Sequence, residues 1–392
     1  MLKSLKIENF RCFQDFELQQ LGRINLLVGT NNSGKTSILE AIQLLYARGD
    51  FDPIASMMER RGEYLLDNGK KQFEIAHLIH GHELKDGRDF SITGVDENGA
   101  IYKCLFSKYK FITTKDDEQK QLSKVAFAPN FNENNVIDDR QTLKIVEGAI
   151  KIKYENIFFY TSIGEEIHFN WKDDDIINGN ITGFLEKDRV INHDSLKSTE
   201  NLFRHRLVTS SSLTPEETIE LFDLTVLTPD EDLVYQALQT IEPKIKRIAS
   251  VGSTHDKNAH RGGFFLQFSD SKQRVPIGSM GDGMWRVLGI ALALVDVKGG
   301  VLLIDEIDTG LHYSVMSDLW KLIWKTAKEL DIQVFATTHN SDCWRSLAEV
   351  IESEAIEDDL ITIHRIEKGK NQSVMFNQRQ IAIAADRGIE VR

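Results

Sequence analysis

The hydrophobic pattern divides the chain into strand-rich ends and a polar middle. Leu2 to Ile7 mixes apolar and polar residues at strand spacing, which predicts an edge-type strand. Asn9 to Phe13 then turns it into a second strand near 16–18. Ile24 to Val28 is a short apolar run that fits a buried strand. Ile38, Ile42 and Leu45 recur at helical spacing, so a helix starts near Gly34. Phe73 to Gly81, Phe90 to Thr93 and Ile101 to Phe106 alternate again. With turn residues at Gly87, Gly94, Asn98 and Gly99, they predict an antiparallel β-meander.

From Lys115 to Glu200 the chain is rich in Asp, Asn, Glu and Lys, and Ile157 to Tyr160 is its one clear strand. We read 115–205 as an insertion or lid between an N-terminal lobe, 1–114, and a C-terminal lobe, 206–392. Thr214-Pro215 has the cap and first-turn residues of a helix. A second helix is expected over Asp230 to Thr240. After Pro243, Lys244 to Ala249 leads toward a strand at Phe264 to Phe268, with 253–263 as a loop. Trp285 to Val297 is a strongly apolar helix, and Val301 to Ile304 and Ile332 to Thr337 are buried strands.

Composition narrows the class. The chain has 392 residues, 41% hydrophobic and 27% charged, as expected of a globular protein. No run of apolar residues is long enough to span a membrane, and the opening lacks the apolar core of a signal peptide. Cys12, Cys104 and Cys343 have no metal-ligand spacing and suit a reducing cytoplasm. A net charge of −13 argues against a surface coated for nucleic acid. Lys103, Lys108, Lys110 and Lys115, or Lys244, Lys246 and Arg247, could form a local basic groove or simply be solvated faces. His77, His80 and His82 cluster, but no acidic or cysteine partner stands at metal-binding spacing.

Chemistry enters at Gly29-Thr30-Asn31-Asn32-Ser33-Gly34-Lys35-Thr36, a phosphate-binding loop of the form G-x-x-x-x-G-K-[ST] between the strand and helix it requires. Its glycines let backbone N–H groups point at phosphate oxygens, and the helix N-terminus adds positive potential. Lys35 is expected on the β- and γ-phosphates of a nucleotide and the Thr36 hydroxyl on Mg²⁺. Asn31, Asn32, Ser33 and Ser37 complete the loop. Arg11, at the first turn, is either a surface arginine or a nucleotide-facing one.

Two more constellations follow. Val301 to Ile304 ends in Asp305-Glu306, at the strand end where open α/β sheets bind ligands. Asp305 is expected to hold Mg²⁺ and Glu306 to polarise the attacking water. The Ile332 strand ends at His339, placed to sense the γ-phosphate. Gly278 to Met284 is a second glycine-rich helix start, hence a second anion site. One copy needs only one such site, so ATP held between two copies is expected.

As a set, these motifs resemble the ABC-type ATPase heads. The Ile7-Glu8-Asn9-Phe10-Arg11 opening is similar to the RecF, SMC and OLD branch, and Glu306 to His312, Thr337 to Asn340 and Gly388 to Arg392 most resemble the OLD type. The resemblance covers about 1–50 and 205–392. It implies an α/β P-loop ABC-type ATPase with a mixed central sheet flanked by helices, an antiparallel N-terminal meander and an inserted lid. It makes Glu306 the general base, His339 the switch histidine, and Asp308, Thr309, Gly310, Leu311 and His312 the dimer-contacting D-loop. Ser279, Gly281, Asp282 and Gly283 occupy the signature that faces the opposing subunit. Here the chain departs from the family, with Gly281 where a serine is usual. Gln72 and His80 are the candidates for the Q-loop.

The resemblance further implies a cytoplasmic ATPase using ATP and Mg²⁺ as a homodimer. It carries no long coiled coil, no C-terminal TOPRIM nuclease and no membrane partner. Its closure would gate a separate effector, such as a TOPRIM-like or HNH nuclease, in anti-phage defence. The alternative is a RecF-like repair ATPase that binds DNA. A transporter ATPase is disfavoured by the Asn9-Phe10-Arg11 opening, and a GTPase by the missing Asn-Lys-x-Asp motif.

Overall fold

The structure is a computed structural model. It describes residues 1–47, 52–67, 70–83, 90–114, 143–154, 157–162, 204–251, 263–354, 356 and 360–391. Chain order gives β1 (Leu2–Phe10), β2 (Phe13–Gln19), β3 (Ile24–Val28), α1 (Lys35–Tyr46) and α2 (Asp52–Arg61). A small hairpin, β4 (Tyr64–Asp67) with β5 (Lys70–Phe73), precedes β6 (Phe90–Asp96), β7 (Ile101–Thr114), β8 (Leu143–Tyr154) and β9 (Ile157–Ser162). Next come β10 (His205–Val208), α3 (Pro215–Thr225), α4 (Glu231–Gln239), β11 (Ile245–Ser250), β12 (Phe264–Phe268) and β13 (Arg274–Pro276). α5 (Asp282–Asp296), β14 (Val301–Ile304), α6 (Met316–Glu329) and β15 (Gln333–Thr338) follow. The chain closes on α7 (Ser341–Ser353), β16 (Ile361–Arg365), β17 (Val374–Phe376) and α8 (Gln378–Asp386).

The central sheet runs β10-β14-β15-β3-β16-β17, parallel throughout except for β17. Every residue of β3, β14 and β15 is buried, as their continuous apolar runs require. Alternate side chains feed two cores. Leu26, Leu302, Ile304, Val334 and Ala336 face the core shared with α5, α6 and α7. Leu27, Leu303 and Phe335 face the other, shared with α1 and the second sheet. Because β3, β14 and β15 are parallel neighbours, their C-terminal ends lie along one edge, where ligands bind in such sheets. β3 comes from the N-terminal lobe, yet it sits inside a sheet otherwise built from residues after 204.

The second sheet is antiparallel, in the order β2-β1-β6-β7-β8-β9. β1 is therefore not an edge strand: β6 pairs along its second side, so Leu2, Leu5, Ile7 and Phe10 are all covered. The meander runs through β6 to β9, so part of the expected lid extends this sheet. The remainder of 115–205, up to 203, lies outside the described residues, as does most of the 253–263 loop. Phe73 to Gly81 is not a strand. It holds a 3₁₀ turn, Ile75–Leu78, in which His77 N–H donates to Glu74 and Ile79 N–H to Ala76. Leu78 and Ile79 are both buried, which alternation does not allow, and the Leu78 carbonyl accepts from Arg11 N–H. α3 starts as expected, with Thr214 in a capping box with Glu217. Among the described residues, no helix is long and apolar enough to cross a membrane.

Two fastenings join the sheets. The buried Gln333 amide on β15 accepts from Leu2 N–H at 2.8 Å and donates to the Leu2 and Gly22 carbonyls at 2.8 Å each. On the neighbouring strand, Glu17 of β2, opposite Lys6 of β1, exchanges main-chain bonds with the β16–β17 hairpin, to the Asn371 carbonyl at 2.9 Å and from Ser373 N–H at 3.2 Å. Gln333→Ala should leave the main-chain groups of Leu2 unpaired and lower unfolding stability by about 3 kcal/mol in a denaturant titration.

His364 on β16 is fully buried beside Thr362 and Ser373, and burial pushes its pKa from 6.5 down to about 3. The unfolded chain takes up that proton first, so the neutral histidine's share of stability is full above pH 6.5. It is lost as pH falls toward about 3. The melting temperature of His364→Gln should fall less steeply across that window than the parent's.

Candidate functional site

The loop after β3 is shaped by close approaches. Gly29 has φ +145° and Gly34 φ +104°, conformations that L side chains rarely adopt. A Cβ on Gly29 would meet the Ile366 carbonyl at 2.4 Å, and one on Gly34 would meet Phe13 Cζ at 2.4 Å and Cys12 Sγ at 2.7 Å. The first turn is thus the roof of the loop, through Cys12 and Phe13. Asn31 and Asn32 are exposed, and Ser33 and Ser37 are buried. The Ser33 Oγ is buried without a hydrogen-bond partner. Lys35 Nζ donates to the Gly29 and Thr30 carbonyls at 2.8 and 2.9 Å. Burial pushes the Lys35 ammonium below its usual pKa, against the pull of Asp305 and Glu306.

β14 brings the carboxylates to this loop. The Thr36 hydroxyl lies 3.1 and 3.2 Å from the two Asp305 carboxylate oxygens. Thr337, at the end of β15, donates to Asp305 Oδ1 at 2.7 Å and accepts from Glu306 N–H at 2.7 Å. One hydroxyl therefore ties the Asp305 carboxylate to the Glu306 main chain. Glu306 has φ +49°, uncommon for a residue with a side chain. The Thr309 hydroxyl donates to one of its carboxylate oxygens at 3.2 Å, and His339 Nδ1 lies 3.8 Å from the other. Both side chains face outward, at 40% exposure for Glu306 and 49% for His339. Asp308 accepts from the Thr338 hydroxyl at 2.6 Å, which anchors the following loop.

The other glycine-rich start is equally open. Ser279, Gly281 and Asp282 are exposed at the head of α5, as are Thr309, Gly310 and His312 nearby. A Cβ on Gly283 would meet the Gly310 carbonyl at 2.8 Å, with Leu311 next to it, so signature and D-loop segments of one copy are in contact. The structure thus brings together Lys35, Thr36, Asp305, Glu306 and His339, and sets the signature residues beside 308–312.

Arg11 stands apart. It is neither a surface residue nor aimed at the loop. It is 6% exposed, ion-paired to Glu40 at 3.3 Å and Glu63 at 2.5 Å, and donates to the His77 carbonyl. Glu40 is also clamped by Arg61, which reaches on to the Ser37 hydroxyl at 3.4 Å in the first turn of α1. His80 bonds the Arg11 carbonyl and His77 meets Glu74 and His82. Among the described residues, no group of three His, Cys, Asp or Glu could hold a metal. The Gln72 side chain and those of Lys108, Lys110 and Lys115 lie outside the described residues. Lys246 and Arg247 are exposed on β11, and Lys244 pairs with Asp270. Sequence reasoning missed Thr337 and the buried Arg286, whose guanidinium donates to the Thr209, Asp305 and Glu306 carbonyls. The signal for Arg286 was a cation inside the apolar helix.

A family model described as an AAA ATPase domain matches residues 1–343. The chain belongs to that family. An ATP/GTP phosphatase of Helicobacter pylori is 23% identical over 97% of this chain and 99% of its own length. The DNA replication and repair protein RecF of Streptococcus suis is 25% identical over 92% of this chain and 99% of its own. An OLD nuclease of Thermus scotoductus is 51% identical, over 12% of this chain and 8% of its own length. A solved SMC head bound to the C-winged helix domain of ScpA superposes with a TM-score of 0.46, at 13% identity, covering 96% of this chain and 98% of that one. RecF and OLD are two of the groups to which the opening motif pointed.

Lys35→Ala should abolish nucleotide binding, since it removes the charge nearest the loop. Calorimetric titration with MgATP checks it, and parent-like affinity would displace the site.

Proposed function

We propose that the chain hydrolyses ATP, using Mg²⁺, in a sandwich of two copies. The observation that supports this most is the meeting of Thr36, Asp305 and Glu306 beside the Lys35 loop. The residues suit the ligand. Thr36 and Asp305 offer oxygen donors only, as Mg²⁺ prefers, and the loop holds a buried, unpartnered Ser33 hydroxyl. Mg²⁺, when bound, draws negative charge from the β- and γ-phosphate oxygens.

The protein's own groups do the rest. Lys35 exchanges two carbonyl partners for phosphate oxygens, which reverses part of its burial penalty. Glu306 takes the proton of the attacking water. Thr337 keeps the Glu306 main chain and the Asp305 carboxylate in register. His339, across from Glu306, contacts the outer phosphate. Glu306 and His339 are too exposed in one copy to exclude water. A second copy, applying its exposed signature helix start, would close the site and supply the missing anion contacts.

In this reading, closure signals to a separate effector protein, with anti-phage defence as the setting. A second reading has its own support: the match to RecF spans nearly both chains. It makes the closed dimer a DNA clamp. Binding of duplex DNA by the protein alone, falling steeply with salt, would select the clamp. A net charge of −13 favours the effector reading.

Glu306→Gln should retain ATP affinity and slow turnover by about 100-fold or more. With MgATP it should accumulate a dimer visible by light scattering. Unchanged turnover would remove Glu306 as the base, and a monomer under every nucleotide condition would remove the sandwich.

A further inference from the structure

Arg286 lies one turn inside α5 and is 2% exposed. Among the described residues it forms no ion pair; its bonds run to main-chain carbonyls. Nη2 donates to the Asp305 carbonyl at 2.6 Å and the Glu306 carbonyl at 3.1 Å, and Nη1 donates to the Thr209 carbonyl. Taking a cation out of water is costly unless strong partners offset it. Burial pushes the guanidinium pKa down to about 10, against the pull of Asp305, Asp308 and Glu306. A neutral or aliphatic side chain would brace a helix against a sheet at less cost. This one is spent on the backbone of the two functional acids.

That backbone needs holding. Glu306 sits at φ +49°, a left-handed conformation that a residue with a Cβ adopts only when its surroundings hold it there. Its N–H is fixed by the Thr337 hydroxyl and its carbonyl by Arg286, so both of its main-chain polar groups are pinned. The link from helix to acid has little slack. A Cβ on Gly283 would lie 2.8 Å from the Gly310 carbonyl, and one on Gly289 would lie 2.5 Å from Ser212 Oγ. The head of α5, the 209–212 turn and the 305–310 segment are in direct contact. The same helix head carries the exposed Ser279, Gly281 and Asp282.

We propose that Arg286 is a positioning residue that ties the placement of Glu306 to the placement of the α5 head in the same copy. The inference rests on Glu306 acting as the base of the hydrolysis proposed above. A second copy that engages the α5 head then adjusts the base of the first copy's own site, so that each site reads the occupancy of the other.

Two variants test this. Arg286→Lys keeps the cation but cannot span three carbonyls. Gly289→Ala keeps Arg286 and displaces α5 from the 209–212 turn. Each is assayed for steady-state MgATP turnover and, without nucleotide, for amide hydrogen exchange over 305–311 and 29–37. Both should lower kcat by about tenfold or more, with KM moving less than about twofold. Exchange should quicken over 305–311 and stay at the parent rate over 29–37. In a Glu306→Gln background, Arg286→Lys should slow the residual rate no further. Parent-like exchange over 305–311 in Arg286→Lys, or an additive loss in the double variant, overturns the proposal. A parent protein that does not turn over MgATP overturns the hydrolysis reading instead, and the exchange measurement still decides whether Arg286 holds the segment.

Discussion

Thr36 and Asp305 are 269 positions apart, and their side chains touch. That contact requires β3 and β14 to end at the same edge of one sheet, with β15 between them. Parallel pairing sets the register: Leu26 and Ile304 both lie opposite Ala336 on β15. The three strands are buried on both faces, which holds them there with two cores rather than one. A slip of one residue in any of them would turn its side chains into the wrong core and pull the acids from the loop. The chemistry at the edge therefore rests on apolar packing well below it.

The sequence made the site legible and its supports much less so. Gly29 to Thr36 and Val301 to Glu306 carry residue types that few other roles demand, and the structure sets them side by side. The buried strands were also plain, because a short apolar run has few alternatives. What escaped were long-range contacts made by ordinary residues. Nothing in Arg11 announces Glu40 and Glu63, since ion pairs across 29 or 52 positions leave no periodic trace. Thr337 looks like any strand threonine until its hydroxyl is found between two acids. At 73–81, the alternation was incidental: Leu78 and Ile79 bury together because a 3₁₀ turn points both inward beside the first hairpin.

A lone copy presents an unfinished site. Glu306 and His339 stand partly in solvent, and Ser279, Gly281 and Asp282 at the second helix start are exposed. In the proposed sandwich, both deficits would be met by the same partner, a second copy of the chain. The AAA ATPase domain family supplies the frame, and the full-length similarity to RecF and to an ATP/GTP phosphatase extends it beyond the motifs.

The two fastenings between the sheets carry a mechanical consequence. Gln333 grips the first strand at its start, and the β16–β17 hairpin grips the second at Glu17, opposite Lys6 of the first. Two such grips on adjacent strands resist sliding and in-plane swivelling of the hairpin over the sheet beneath it. The turn that carries Cys12 and Phe13 is thereby kept in place over Gly34, so the cover of the loop is set by bonds made well away from it.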